Sequence, residues 1–567
     1  MQLMPTHRQA TAAISSFFQR INPLLHVLHR PSFEAQCEGF WKNGATNDGR
    51  WLATYLGVCG NGLLAMSEDE AAASSMPTRD GKGLLVRSWI DGALQALCSE
   101  GFAKNPSLEG LRAVVLLNMF WASWDGGKHL EAAITFNMTA ISTVWELELP
   151  RDPDELNARF TPLEAEERRR VFWALFSLDT LARSFLGKTY HPHDAATISC
   201  RFPAQLPDEA YSVITGDFDF TFATSSAPST MKPVVSLHSV CLLLSKISKA
   251  TASSGSGRPS SVELVALHEE LEALDTHSSA EICSHPSPAS SRASSGSFVE
   301  SFSTVLKSFA EVKLARGFAG FEELPGGYGG DRWRKMCTKH ATLLLTAIDS
   351  APSRAPVASL YTSLACWSSA ITLSMDMIGS PFSTPDDTLA RLSSLRSASK
   401  TTRWPGSLQR VFLRGGIILQ QLAEHEERKK PSGLTAPLGS FFGLGHTNSP
   451  SSSNSGFDNA SMVDTPFFLP QGSSNNYLRA EQYLSPLPYA ESFSDNYYQS
   501  SNLGGEYAPT APSHSNSGSF DSYSKREDRQ LAPLLKPWLA STATLVSPLT
   551  EFNMASWSRS TALDSFA

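Results

Sequence analysis

The stretch Glu166-Glu167-Arg168-Arg169-Arg170-Val171-Phe172-Trp173 decides the fold, because a long helix is predicted to run through it. Just upstream, Thr161-Pro162-Leu163-Glu164 has the spacing of a capping box, with proline at the first helical position. Downstream, apolar residues recur at intervals of three and four, which predicts one apolar face of an amphipathic helix: Val171, Leu175, Leu178, Ala182 and Phe185. Gly187 follows directly and is a typical helix stop.

The charges on this helix predict structural ion pairs. Asp179 and Arg183 are four residues apart and are therefore spaced to pair along one face. The three consecutive arginines point about 100° apart on a helix, so they cannot all face one partner. We expect Arg169 or Arg170 to be held by internal carboxylates while another arginine is exposed. The alternative, a contact with nucleic-acid phosphate, is the weaker reading.

Helical periodicity extends outward from this stretch and predicts an all-α fold, a large irregular helical domain. The predicted helices before residue 215 cover 8–20, 48–66, 82–100, 107–122, 128–147 and 163–186. The segment from Leu108 is apolar on all sides and is predicted to be central to the core. The tryptophans of this part are predicted to be core residues rather than a ligand-binding set: Trp121, Trp124, Trp145 and Trp173.

Composition divides the chain into four parts. Residues 1–215 are the first helical part, and 216–300 are rich in Ser and Pro and read as a linker or insertion with one isolated helix at Val262–Leu274. Residues 301–430 return to helical periodicity, and Leu360, Leu364, Trp367 and Ile371 are predicted to lie on one helix face. Residues 431–567 contain few branched aliphatic residues and are predicted to be a disordered tail. Its aromatic and acidic residues are compatible with an activation segment, and a plain disordered tail is the alternative.

The overall composition excludes several classes of protein. The formal net charge of the 567-residue chain is −8, whereas a free-standing nucleic-acid-binding module is usually basic. The eight cysteines are scattered with no Cys-x-x-Cys pair, so the sequence contains no zinc finger, ribbon or binuclear cluster. The longest apolar run, 113–122, is too short for a bilayer, which needs about 20 residues. We therefore expect no membrane partner.

Catalytic and metal-binding patterns are weak. His191-Pro192-His193-Asp194 offers three potential ligands, but the tight spacing gives poor tetrahedral geometry, and a surface loop is the favoured interpretation. The glycine-rich run Gly326–Gly330 lacks the spacing of a phosphate-binding loop. The sequence contains no nucleophile elbow, His-Glu-x-x-His or kinase signature. We expect a protein that is not an enzyme and that has no cofactor in this chain.

A second motif near the start of the chain agrees with the first. Phe17-Phe18 is followed by Ile21-Asn22-Pro23 and then by His29-Arg30-Pro31-Ser32-Phe33. The first motif continues from the acidic and arginine residues 166–170 through the aromatic pair Phe172-Trp173 to Gly187-Lys188 and Phe202-Pro203. The two motifs, in this order, resemble the fungal-specific transcription factor domain. That domain is the middle homology region of fungal zinc-cluster regulators, including those of the xylanolytic-activator type. The residues of the resemblance are expected to be structural: Asn22, Pro23, His29, Arg30, Pro31, Phe33, Glu167, Arg169, Arg170, Trp173, Asp179, Gly187 and Pro203.

The resemblance implies a fungal regulator of RNA polymerase II transcription that works in the nucleus. Binding of DNA and zinc is implied by the family but is carried by no residue here, so zinc is expected only with an upstream zinc module. DNA would be reached through such a module or through a partner protein. The further partners implied are transcriptional coactivators, a small-molecule effector and a second copy in a homodimer. The alternatives are a helical cofactor or scaffold that does not bind DNA and, with less support, a helical enzyme.

Overall fold

Helices form most of the architecture. The computed structural model describes residues 4–102, 104–124, 130–156, 159–188, 192–219, 231–252, 261–274, 295–318, 330–347 and 356–379. Over these residues the chain is 78% helical and contains no sheet. One isolated antiparallel bridge joins Tyr211 to Phe218. The predicted all-α class is confirmed.

The first nine helices occupy the chain up to residue 186. They are α1 His7–Arg20, α2 Asn22–Leu25, α3 Arg30–Asn43, α4 Gly49–Ala65, α5 Glu68–Ala73, α6 Asp80–Ser99, α7 Leu108–Ser123, α8 Leu130–Glu146 and α9 Pro162–Leu186. The later helices are α10 Lys232–Ala252, α11 Ser261–Ala273, α12 Ser295–Phe318, α13 Gly330–Ala347 and α14 Pro356–Gly379. The six helices predicted before residue 215 all occur, with ends that differ by at most two residues.

Local sequence sets many of these helix boundaries. Capping boxes begin α1, α5 and α9, where Thr6, Ser67 and Thr161 each accept from the backbone N–H three residues on. Gly187 ends α9 in the left-handed region, at φ 62°. A side chain is strained in that region, which is why glycine is the usual residue there.

Helix α9 lies at the centre of the domain rather than on its surface. Every residue from Arg170 to Leu186 is buried, so the predicted single apolar face is wrong for this part of the helix. Polar residues on the other side, such as Ser177 and Asp179, suggested a face exposed to water. Both are instead paired inside the protein, Ser177 with His238 and Asp179 with Arg183. Helix α7 is also buried over most of its length, as predicted.

The sequence analysis did not predict four helices: α2, α3, α5 and α10. The His29-Arg30-Pro31 motif begins α3, in which Pro31 occupies the first turn. Helix α10 lies in the segment interpreted as linker, and its buried residues recur at helical spacing: Val234, Leu237, Val240, Cys241, Leu244 and Ile247. The averaged Ser-rich composition of 216–300 concealed this periodicity. Helix α11 is not isolated, since Leu264, Leu267 and Leu271 are buried in the same core.

Helix α10 also passes a simple test for a membrane span. Residues Lys232–Thr251 are long and apolar enough to cross a bilayer by length and composition, but 61% of that window is buried inside the protein. A core helix of a globular domain has this property, so the finding is weak support for a membrane segment.

One continuous hydrophobic core joins the early and late helices. Phe185 of α9 stacks on Phe309 of α12 and on Tyr361 of α14, with ring centroids 4.3 and 5.4 Å apart. The face predicted on α14 is buried: Leu360, Leu364, Trp367 and Ile371. Trp145 is the exception among the predicted core tryptophans, since 45% of it is exposed. The predictions for residues 380–430 and for the tail from residue 431 lie outside the described residues.

Candidate functional site: buried charges between the two motifs

Arg170 of α9 lies at the centre of a buried charged network. Its Nε donates to Glu166 at 2.9 Å, one turn earlier in the helix, and its Nη1 donates to Asp208 at 2.6 Å. Arg170 and Glu166 have no exposed surface, and Asp208 is buried as well. Glu166 also accepts from the backbone N–H of Ala204 at 2.9 Å. The network therefore joins α9 to the 204–208 segment.

The amino-terminal motif is attached to the same network. His29 Nε2 donates to the backbone oxygen of Asp208 at 2.8 Å, and the His29 Nδ1 accepts from Ser32 at 2.7 Å. The backbone N–H of Arg30 donates to the Asp208 carboxylate at 2.9 Å. Asp208 thus binds the start of α3 with one oxygen and Arg170 with the other.

Asn22 gives the amino-terminal motif its shape. Its side chain accepts from the backbone N–H of Leu28 and donates to the oxygen of the same residue, both at 3.2 Å. These two bonds close the loop between α2 and α3, within which His26 adopts a left-handed conformation with φ 49°. Pro23 and Pro31 lie in the first turns of α2 and α3, and Phe33 is buried beside Phe18.

Burial and charge act against each other on the ionisable groups of the network. Burial alone would lower the pKa of Arg170, but the charges of Asp208 and Glu166 outweigh it and raise that pKa. Burial would raise the pKa of Asp208, and Arg170 reverses this so that the pKa lies below its usual value. Arg170 and Asp208 are therefore ionised together as a buried ion pair.

Two histidines lie in this region: His26, next to Asp208, is mostly buried, and His238 is fully buried. His26 Nδ1 is 3.9 Å from the Asp208 oxygen that Arg170 binds, too far for a hydrogen bond. Burial, reinforced by the charge of Arg170, lowers the pKa of His26 to about 4. His238 of α10 shares a hydrogen bond of 2.8 Å with Ser177, and burial lowers its pKa to about 3. Both histidines are therefore neutral near pH 7.

A second network, centred on Asp152, lies nearer the surface. Asp152 accepts from Arg169 at 2.8 and 3.1 Å and from the side chain of Arg201 at 2.9 and 3.0 Å. Burial would raise the pKa of Asp152, but hydrogen bonds from the two arginines hold it well below its usual range. The side chain of Arg201 is 62% exposed, so this network is open to water on one side.

The remaining charged residues of the Glu166–Trp173 stretch also bind within the protein. Arg168 donates to the backbone oxygen of Leu147 and lies over the ring of Phe160, 4.5 Å from its centroid. Glu167 pairs with Arg112 of α7 at 2.8 Å. Arg169 and Arg170 are both held by internal carboxylates, as predicted for one of them. The prediction that another of the three arginines is exposed is wrong, because Arg168 and Arg169 are half-buried and Arg170 is buried.

The other motif residues hold the later part of α9. Asp179 pairs with Arg183 at 2.6 Å, as the spacing predicted, but the pair is buried, and burial raises the pKa of Asp179. Trp173 Nε1 donates to the backbone oxygen of Arg201 at 2.9 Å, and its ring packs on Phe202, 4.4 Å away. Pro203 follows and is buried. These contacts fasten the segment after α9 to the helix.

Five residues of the two networks and their surroundings were missed by the sequence analysis: Asp208, Asp152, Arg201, His26 and His238. Asp208 is 38 residues from Arg170 and 178 from Arg30, so no local spacing connects these partners. Asp152 offered one local signal, since Asp152-Pro153-Asp154 has the form of a cap, and its side chain does accept from the backbone of Asp154.

The two charged networks hold α3, α9 and residues 200–208 together. In the part of the chain that the structure describes, neither network forms a metal centre. No group of three or more His, Cys, Asp or Glu side chains is placed there to hold a metal ion. In the weak metal-like cluster, His193 is buried against Phe172 rather than lying in a surface loop. Asp194 caps a short turn and pairs with Lys249, while His191 lies outside the described residues.

The chain is similar to known fungal transcription regulators. The family model of the fungal specific transcription factor domain matches residues 14–305. A transcriptional regulatory protein of Schizosaccharomyces pombe is 24% identical over 241 residues, which cover 42% of this chain and 36% of that protein. The probable transcription factor lepB of Aspergillus flavus is 23% identical over 224 residues, 36% of this chain and 38% of its own. The C6 finger domain transcription factor nscR of Aspergillus fumigatus is 27% identical over 179 residues, 30% and 21% of the two chains.

Proposed function

The chain belongs to the fungal-specific transcription factor domain family, and on that premise we propose that its helical part is the regulatory domain of a fungal regulator of RNA polymerase II transcription. The observation that carries the proposal is the match over residues 14–305, which contains both sequence motifs and the Asp208 that joins them. The relatives are named as transcription regulators, which favours regulation over catalysis.

The finer parts of the function are proposals too. The matched stretch covers 36% and 38% of the first two relatives, so the activity of a whole regulator is carried over only by analogy. One relative is named as a C6 finger protein, which supports DNA reading by a zinc module. Such a module or a partner protein would bring the chain to DNA in the nucleus, and coactivators would bind its acidic and aromatic tail.

The geometry supports a domain that transmits a state rather than one that performs a reaction. The charged network connects α3, α9 and the 200–208 segment through partners far apart in sequence. A small-molecule effector or a second copy would act only by favouring one arrangement of these segments over another. Both partners are part of the proposal.

A tethering experiment tests the proposed function. The full chain would be fused to an unrelated DNA-binding domain in a fungal reporter strain, where we expect transcription to change relative to the DNA-binding domain alone. Arg170→Met should alter this response, since it breaks the buried network. Arg201→Met is the matched control and should leave the response unchanged, because that arginine is exposed.

The outcomes are distinct. A response that depends on Arg170 supports a regulatory helical domain. A response unaffected by either substitution would assign the activity to the tail alone and reject a role for the helical domain. If nuclear fusion protein accumulated to normal levels and the reporter did not change, transcription regulation by this chain would be rejected.

A further inference from the structure

Helix α11 presents one titratable side chain to the core. Its buried residues are three leucines and a histidine: Leu264, Leu267, His268 and Leu271. Histidine is the side chain whose charge ordinarily changes near pH 7. The face that fastens α11 to the rest of the domain therefore contains a group whose charge depends on pH.

Two carboxylates flank His268. Its Nδ1 is 3.4 Å from an oxygen of Glu311 on α12, and its Nε2 is 3.4 Å from an oxygen of Glu272, one turn later on α11. The side chain of Glu311 is 3% exposed, whereas that of Glu272 is 66% exposed. The edge of the imidazole ring also packs against Trp333 of α13, with ring centroids 5.0 Å apart. His268 thus connects α11 to a carboxylate that water does not reach.

The geometry around Glu311 favours a charged imidazole. Within the part of the chain that the structure describes, neither His268 Nδ1 nor Glu311 Oε2 forms a hydrogen bond. An ionised carboxylate that is buried without hydrogen bonds or a nearby cation is costly, and a neutral imidazole at this distance supplies neither. A protonated His268 supplies the compensating charge.

Other charged groups near the pair belong to α10, α12 and α13. Lys246 of α10 binds Glu270 on the exposed side of α11 at 2.6 Å, and Lys307 of α12 donates to the backbone oxygen of Leu274 at 2.7 Å. Helix α13 contributes Arg332, Lys339 and His340.

The balance of these groups favours protonation of His268. Burial would lower the pKa of His268, but the pairing with Glu311 and the charge of Glu272 outweigh burial and the charge of Arg332, and they raise it. Burial lowers the pKa of His340, so that histidine is neutral near pH 7. His268 is thus the histidine of this cluster that carries charge.

We propose that His268 and Glu311 form a pH-sensitive clasp, which holds α11 against α12 when His268 is protonated and loosens the helix as the pH rises. Helix α11 has 13 residues, and an isolated helix of about that length is marginal in water, so α11 depends on its docking. Loosening would therefore be seen as local unfolding of α11 while the remaining helices stay folded.

The sign of the pH effect follows from the raised pKa of His268. The stability that the clasp contributes is fully present below the ordinary value of 6.5 and is lost as the pH rises through the higher pKa of the folded state. His26 and His238 act in the opposite sense, because their pKa is lowered in the folded protein. The response of α11 is therefore distinguishable from a change in the stability of the whole domain.

Amide hydrogen exchange of the full chain, followed by mass spectrometry from about pH 6 to about pH 8.5, tests the clasp. Exchange is expressed relative to an unstructured peptide at the same pH, which removes the intrinsic effect of pH on the rate. We expect the protection of 264–273 to fall above pH 6.5, by up to about tenfold for each pH unit, the limit for the loss of one proton. The protection of α9 should show no such fall.

Substitutions assign the effect to the pair. Glu311→Gln should remove the pH dependence, since no buried charge then needs compensation. His268→Gln should reduce the protection of α11 at every pH, because Glu311 stays buried without a cation. Combining the two should restore protection and keep it independent of pH, because two amide side chains can form a hydrogen bond without charge. His7→Gln, at an exposed histidine of α1, is the matched control and should keep the wild-type pH dependence.

A separate measurement reads the histidine directly. Exchange of the ring C–H hydrogens of histidine, also followed by mass spectrometry, should give a pKa above 6.5 for His268 in the wild type and a lower one in Glu311→Gln. The clasp would be overturned by a pKa of His268 at or below 6.5. Protection of α11 that stays constant or increases with pH would also overturn it, as would a fall in protection that persists in Glu311→Gln.

Discussion

The networks around Arg170 and Asp152 use the same chemistry in different surroundings. Arg170 and its neighbour Arg169 are consecutive in α9, and each binds a carboxylate at hydrogen-bonding distance. Arg170 and Glu166 have no exposed surface. In the second network Asp152 is buried, but its other partner, Arg201, is 62% exposed. Consecutive residues of a helix point about 100° apart, so Arg170 forms an ion pair away from water while Arg169 forms one that water reaches.

The difference shows where charge decides stability in this domain. A buried ion pair adds little over apolar packing, but the loss of one partner leaves an unpaired charge away from water. An exposed partner can be replaced by water, and salt screens its contribution. The Arg170 network should therefore be sensitive to single substitutions, whereas the exposed edge of the Asp152 network should tolerate them.

The largest effect is expected for Arg170→Met. Glu166 and Asp208 would remain buried without their shared cation, and the free energy of unfolding should fall by about 3–5 kcal/mol. Urea unfolding followed by circular dichroism measures the change. Adding Glu166→Gln and Asp208→Asn to the same variant should recover part of the loss, since no charge would then be unpaired. If Arg170→Met lowered the free energy of unfolding by less than about 1 kcal/mol, the buried network would be no more sensitive to substitution than an exposed ion pair.

The second largest effect is expected from pH, which should change the free energy of unfolding through the two histidines near the buried network. His26 and His238 have a lowered pKa in the folded protein, so the unfolded chain binds protons first as the pH falls. The stability they contribute is present above pH 6.5 and is lost progressively toward pH 4 for His26 and pH 3 for His238. Between pH 7 and pH 5, each histidine should reduce the free energy of unfolding by about 2 kcal/mol.

His238→Gln isolates one of these contributions. Glutamine can keep a hydrogen bond to Ser177 but does not titrate, so the decrease in stability from pH 7 to pH 5 should be smaller by about 2 kcal/mol. Urea unfolding at several pH values provides the measurement. If the wild-type and variant curves were parallel, His238 would not be kept neutral by the fold.

The smallest effect is expected for Arg201→Met. Asp152 would keep both bonds from Arg169, and the free energy of unfolding should change by about 0–1 kcal/mol. This difference should decrease at high salt, whereas the effect of Arg170→Met should not. A loss as large as that of Arg170→Met would show that exposure is not what distinguishes the networks.

The sequence predicted the parts of the fold that depend on neighbours along the chain. The capping box at Thr161, the stop at Gly187 and the pairing of Asp179 with Arg183 all follow from residues within one or two helical turns. Helix α10 was missed because its apolar residues are separated by serines and lysines that dilute the average hydrophobicity. The exposure of Trp145 was missed because residue type predicts burial only on average.

What the sequence determined by itself was the helical class, the ends of the main helices and the two motifs that identify the family. What only the tertiary structure decided was how those motifs meet. Asp208 joins Arg30 to Arg170 across 178 and 38 residues, and Asp152 joins Arg169 to Arg201. The physical reason is that helix signals are local, whereas a buried carboxylate binds whichever cation the packing of distant helices brings to it.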